Sequence, residues 1–172
     1  MAKTEHAGDD ARISRLPATL DRRRLILRFR SKLPSTRESI GAAVQHVVRI
    51  AREAGCVASH VADVEIALRE ALANAVLHGN EERPEKKVFL RCYADPDGGI
   101  LIAVRDEGRG FDPASVPDPR DSERLELPHG RGIFLMHELM DVAEHRKSGR
   151  EVVLYKACHH PKTARKTRHD RD

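Results

Sequence analysis

The stretch EIALREALANAVLHGN, Glu65 to Asn80, decides the fold. Its apolar residues return every three or four positions, which is the helical period. Extended upstream, the pattern predicts a helix from near Ser59 to about His78. Val61, Val64, Leu68, Ala71, Leu72 and Ala75 fall on one face, and Gly79-Asn80 ends it. From Ala71 to Leu77 a single side chain is polar, Asn74. Glu70 precedes it by four residues and His78 follows it by four, so an unbroken α-helix sets all three along one stripe.

Asn74 and Glu70 are open to two readings. Asn74 can be a structural residue bonded to neighbouring backbone, with Glu70 simply at the surface. Alternatively, Asn74 offers its side-chain oxygen to Mg²⁺, which takes hard oxygens and few protein ligands. Glu70, one turn away, then accepts a proton from a nucleophile attacking a γ-phosphate. His78 reads more simply as a helix-terminal histidine complementing the dipole.

Working outward, the segment before this helix predicts another, capped by Ser35 or Thr36 and running to about Ala54, where Gly55 stops it. Its apolar positions are Ile40, Ala43, Val44, Val47, Val48 and Ile50 or Ala51. Arg24 to Arg30 before it is strand-like, ending ahead of Pro34. Beyond Asn80 the period changes. Lys87 to Ala94 and Gly99 to Arg105 predict two strands of a hairpin around Asp95–Gly99. Gly132 to Met140 predicts a helix, and Val142 to Arg146 with Glu151 to Lys156 a closing hairpin around Ser148-Gly149. Helices in a block and hairpin-linked strands predict an α+β, two-layer sandwich: a mostly antiparallel mixed sheet with helices on one face.

Two Gly-containing loops join these elements. In ILIAVRDEGRGF, Ile100 to Phe111, Asp106 directly follows an apolar strand. A carboxylate held there can accept the amino hydrogen of adenine, and Gly108 and Gly110 permit close backbone approach. An ordinary polar turn is the plain alternative. In HGRGIFLM, His129 to Met136, Gly130 and Gly132 open a helix, whose N-terminal N–H groups suit phosphate. Arg131 between them can add charge to that site or lie in solvent. No G-x-x-x-x-G-K-[ST] occurs, so this is not a P-loop site.

Composition bounds the rest. The chain has 172 residues, a one-domain length. Trp is absent and aromatics are 3%, so Leu, Val, Ile and Ala must build the core. Net charge is +4, with basic residues crowded at Arg22–Arg30 and Lys162–Arg171. A solvated strand edge and a disordered tail explain both runs; the sharper alternative is a patch for nucleic acid or an acidic partner. Without interleaved aromatics, direct nucleic-acid binding is not expected. Cys56, Cys92 and Cys158 are widely separated and suggest neither a metal pair nor a disulfide set, so a reducing cytoplasm is expected. The first residues lack the apolar h-region expected of a signal peptide, and no apolar run reaches membrane length. The expected organisation is a disordered leader over 1–20, a domain over 21–157 with a proline-rich lid at 107–129, and a basic disordered tail over 158–172.

These motifs carry a resemblance. EALANAVLHG resembles the N-box of the GHKL (Bergerat-fold, histidine kinase-like ATPase) ATP-binding superfamily, DEGRGF its first glycine box and HGRGIFLM its second. Within it the chain looks most like the anti-sigma-factor serine/threonine kinases of the RsbW type. The resemblance implies ATP and Mg²⁺ as cofactors and Glu70 as the catalytic general base. It implies Asn74 as the metal ligand and Asp106 as the reader of adenine, with Gly108 and Gly110 shaping that pocket. Gly130, Arg131 and Gly132 would border the phosphates. Pro128 and His129 stand where relatives can place a basic residue, so Arg120, Arg124 or Arg131 would substitute. Such kinases are typically homodimers that bind a sigma factor and phosphorylate a small STAS-type anti-anti-sigma partner. The alternative is a non-catalytic ATP-binding module that sequesters its partner. A sensor histidine kinase or a gyrase- or chaperone-type ATPase would need a further domain.

Overall fold

The computed structural model describes residues 20–112 and 131–158. The expected leader up to residue 19, the lid from residue 113, Gly130 and the tail from residue 159 lie outside the described residues. A short 3-10 turn, Arg22–Arg24, leads into strand β1, Ile26–Pro34. Helices α1, Glu38–Glu53, and α2, Ala58–Ala73, follow, and α2 continues into a π-helical turn, Asn74–Gly79. Strands β2, Lys87–Asp95, and β3, Gly99–Arg105, precede helix α3, Arg131–Leu139, and strands β4, Val142–Arg146, and β5, Glu151–Ala157.

The described strands form one sheet in the order β1-β2-β3-β5-β4. Every ladder in it is antiparallel, so the expected mixed sheet is antiparallel throughout. The α+β two-layer architecture is as the element order predicts. Alternation then sorts the side chains. Val88, Leu90 and Cys92 of β2, Ile100, Ile102 and Val104 of β3, and Val152 and Leu154 of β5 face the helices. They meet Val44, Val47 and Val48 of α1 and Val64, Leu68 and Leu72 of α2. The largest fully buried side chains are Leu, Ile, Met and Val, as the scarcity of aromatics requires. Each such Leu or Ile contributes roughly 1.5–3 kcal/mol on burial.

The opposite face carries a smaller cluster, Leu101, Ala103, Val153 and Tyr155, covered by Leu20. Leu20 is the last residue of the expected leader, and its burial ties the chain down at that point.

Local details differ from expectation where tertiary contacts intervene. β1 extends through Pro34, which pairs with Lys87. An edge strand tolerates a residue lacking an N–H donor. Neither Ser35 nor Thr36 caps α1. Its N-cap is Arg37, with no side-chain cap bond, and Ser35 is fully buried. Cys56 and Cys158 are joined as a disulfide, with Cα atoms 4.2 Å apart and a sequence separation of 102. This corrects the expectation that the cysteines form no pair. Cys56 sits in the turn between α1 and α2, and Cys158 just past β5, so folding rather than spacing brings them together. The cysteine argument for a reducing compartment therefore lapses. No described helix is long and apolar enough to cross a membrane.

Candidate functional site

Helix α2 supplies the centre of the site. It keeps α-helical geometry to Ala73 and becomes a π turn at Asn74. The Asn80 N–H donates to Ala75 O at 2.8 Å, five residues back, and Glu82 N–H to Val76 O at 2.8 Å. Such turns are rare and often fall at functional sites. The wider turn also breaks the expected α-helical stripe beyond Asn74. His78 is exposed, while the neighbouring Gly79 is directed at Asp106.

At one end of this turn are Glu70, Asn74 and Gly132. A methyl group at Gly132 would stand 2.5 Å from Glu70 Oε2 and 3.5 Å from Asn74 Nδ2. The first turn of α3 thus lies directly against the two polar side chains of α2. Gly132 permits that approach, and Arg131 beside it is exposed. Asn74 is only partly buried, so it does not require a protein partner for its amide.

At the other end, Asp106 follows the last residue of β3. Its Oδ1 accepts the Gly108 N–H at 2.7 Å, and its own N–H donates to Arg150 O at 3.0 Å. A side chain at Gly79 would meet the Asp106 carboxylate, 2.6 Å from Oδ2 and 2.8 Å from Oδ1. A side chain at Gly108 would collide with the Gly79 carbonyl. Burial raises the Asp106 pKa, against the opposing pull of the Gly108 and Asp106 N–H groups and of Arg150 and Lys86. Gly110 goes elsewhere. Its φ is +78°, and it packs against the Ser148 carbonyl in the β4–β5 turn, where the Phe111 N–H donates to Ser148 O at 2.9 Å. Gly130 lies outside the described residues, so its position is not part of this geometry.

Three residues of the site were missed from the sequence: Gly79, Asn80 and Glu107. Asn80 is fully buried. Its Nδ2 donates to Lys87 O at 3.0 Å and its Oδ1 accepts the Glu107 N–H at 2.9 Å. Glu107 in turn accepts the Lys87 N–H at 2.7 Å. This triangle fixes the end of the π turn to the start of β2 and to the loop bearing Asp106. The one local signal was an Asn next to Gly at a helix end, which reads as a terminator. The chain leaves through Glu81 and Glu82, both with positive φ (58° and 52°). Each left-handed residue costs roughly 1–2 kcal/mol, and Glu82 is held by the Arg37 guanidinium at 2.6 Å.

The donor set fits a magnesium nucleotide. Asp106 presents a carboxylate at a glycine-lined approach, and Asn74 and Glu70 lie one π turn away, against a helix N-terminus.

The family model described as histidine kinase-like ATPase domain matches residues 33–156. An anti-sigma F factor of Heyndrickxia coagulans is 38% identical over 77 residues, covering 44% of this chain and 52% of that protein. The chain therefore spans about half the length of that curated relative. The serine-protein kinase RsbW of Staphylococcus epidermidis is 27% identical over 132 residues, covering 73% of this chain and 83% of its own length. Among solved structures, one of the RsbU and RsbW domains of a Mycobacterium tuberculosis protein matches with a TM-score of 0.49 and 21% identity, covering 78% of this chain and 34% of that one.

Proposed function

Because this chain belongs to the histidine kinase-like ATPase domain family, we propose that it is an ATP-dependent serine/threonine-protein kinase acting as an anti-sigma factor. In this reading it binds a sigma factor in the cytoplasm as a homodimer and phosphorylates a small STAS-type anti-anti-sigma partner. The observation that carries it is the pairing of Glu70 and Asn74 against Gly132, one π turn from Asp106 against Gly79 and Gly108. The names of the relatives, serine-protein kinase and anti-sigma F factor, support the same reading.

Magnesium-ATP, when bound, supplies the transferable γ-phosphoryl group and the cation that neutralises its charge. Asp106 accepts the exocyclic amino hydrogen of adenine. Gly79 and Gly108 let the π turn and the Asp106 loop pack closely, which holds that carboxylate in place. Asn74 holds the cation through its side-chain oxygen. The N–H groups opening α3, with Arg131 beside them, would hold the phosphates. Glu70 takes the proton from the partner's Ser or Thr hydroxyl at its carboxylate oxygen, a contribution of typically about 10²–10⁴-fold.

The test is incubation with labelled ATP, Mg²⁺ and STAS-domain proteins of the same genome, followed by mass spectrometry of the partner. A phosphoserine or phosphothreonine, lost in the Glu70→Gln variant, supports the reading. An unmodified partner that nonetheless binds in a nucleotide-dependent way replaces the kinase with a sequestering module.

A further inference from the structure

The face of the sheet turned away from the helices is divided. Leu20 covers its apolar half. The other half is an open groove of about 410 Å³ whose lining includes Arg30 and Lys32 of β1, Phe89 and Arg91 of β2, Arg105 of β3 and Lys147 of the β4–β5 turn. Five cations thus surround one aromatic ring. Arg105 lies 4.5 Å and Lys32 5.6 Å from the Phe89 ring centroid.

The charges are not balanced from within. Glu151, almost fully buried, pairs with Arg91 at 3.2 Å and Lys147 at 3.3 Å. Among the described residues no ion pair joins a carboxylate to Arg30, Lys32 or Arg105, although Arg105 stands opposite Glu151 in the β3–β5 ladder. Arg30 and Arg91 stand directly opposite each other in the β1–β2 ladder, an arrangement that destabilises a sheet. Basic side chains on β1 can be explained by its place at the sheet edge, where charge discourages strand addition. That does not account for Arg91 and Arg105, which stand on central strands.

We propose that this groove docks an acidic segment of a protein partner, one with carboxylates two residues to either side of an apolar residue. The apolar side chain rests on Phe89. In an extended segment residues i−2, i and i+2 share one face, so those carboxylates, each about 7 Å along the chain from the apolar residue, reach the cations on β1 and on β3. A second copy of this chain is a poor occupant, since two such grooves face to face repel. The chain's own first residues are poor ones as well, because Lys3, Arg12 and Arg15 offset Glu5, Asp9 and Asp10. A nucleic acid would find cations but a single ring to stack on. The inference does not rest on phosphoryl transfer: the groove is on the opposite face of the sheet from Glu70 and Asn74.

The test uses the full chain and a fluorescein-labelled peptide of sequence Glu-Ser-Leu-Ser-Glu, read by fluorescence anisotropy. The wild type is expected to bind it with an affinity that falls as salt rises. The Arg30→Glu/Lys32→Glu variant should bind about ten-fold or more weakly, with ATP affinity and far-ultraviolet circular dichroism unchanged. Should that variant not fold, Arg30→Gln/Lys32→Gln is measured in its place, with the same sign expected. Absent binding, salt-independent binding, or equal affinity in wild type and variant overturns the proposal. So does tighter binding of a DNA duplex of matched charge, or a sedimentation change showing that the substitutions break a dimer.

Discussion

Gly132 is pressed against Glu70: a methyl group on the glycine would stand 2.5 Å from the carboxylate Oε2. The atom in the way is the tip of a flexible side chain, so the chain can relieve the clash by turning Glu70 aside. Gly132→Ala is therefore expected to cost little stability, within about 1 kcal/mol. It should lower phosphoryl transfer by up to about 10²-fold, the scale at which misplacing a reacting group acts. Thermal unfolding and single-turnover phosphorylation separate the two effects. A variant with wild-type transfer would mean that the placement of Glu70 does not matter.

Gly108 presents the contrasting case. Its obstacle is the Gly79 carbonyl, which is backbone and cannot swing away. Gly108→Ala should lose about 1–3 kcal/mol of stability, as overpacking does, and should also weaken nucleotide binding. Urea unfolding checks this. An unchanged midpoint and slope would show that the two loops are free to separate.

His145 carries a pH dependence of stability. Burial, with a smaller contribution from His137, lowers its pKa from 6.5 to about 4. Its ring packs edge-on to Phe111 at 5.4 Å between centroids. Between these two values the unfolded chain binds the proton and the folded protein does not. Stability from this residue is thus present above pH 6.5 and is lost as pH falls toward 4. The full loss is on the order of 3 kcal/mol. Denaturation midpoints of wild type and His145→Gln, compared across that window, should converge as the pH drops. Parallel curves would remove His145 as the source.

Asp106 carries a pH dependence of binding. Burial raises its pKa, so on acidification it protonates at a higher pH than an ordinary carboxylate. Once neutral, one oxygen becomes a donor and no longer accepts the adenine amino hydrogen. Affinity for ATP should fall with decreasing pH while affinity for GTP, low throughout, changes less. Asp106→Asn should weaken ATP and flatten its pH profile. Calorimetry in which that variant binds ATP as tightly as the parent would sink the assignment.

The periodicity of Val61 to Ala75 and the alternation in the strands predicted a two-layer α+β fold, because both report which face of an element is buried. The turns at Asp95–Gly99 and Ser148-Gly149 were legible for a local reason, the backbone freedom of Gly. Asn74 could be singled out as the one polar side chain from Ala71 to Leu77, Glu70 as the carboxylate one helical turn before it, and Asp106 as the carboxylate that follows a strand and opens a Gly loop. What sequence could not supply was contact between elements. The Asn80–Lys87–Glu107 triangle, the Cys56–Cys158 pair and the basic groove all join residues distant in the chain. Their geometry depends on how α2, α3 and the sheet pack, and no local propensity encodes it. The order of residues along the chain specified the elements and the chemistry they carry; packing settled which of those groups face one another, and at what distance.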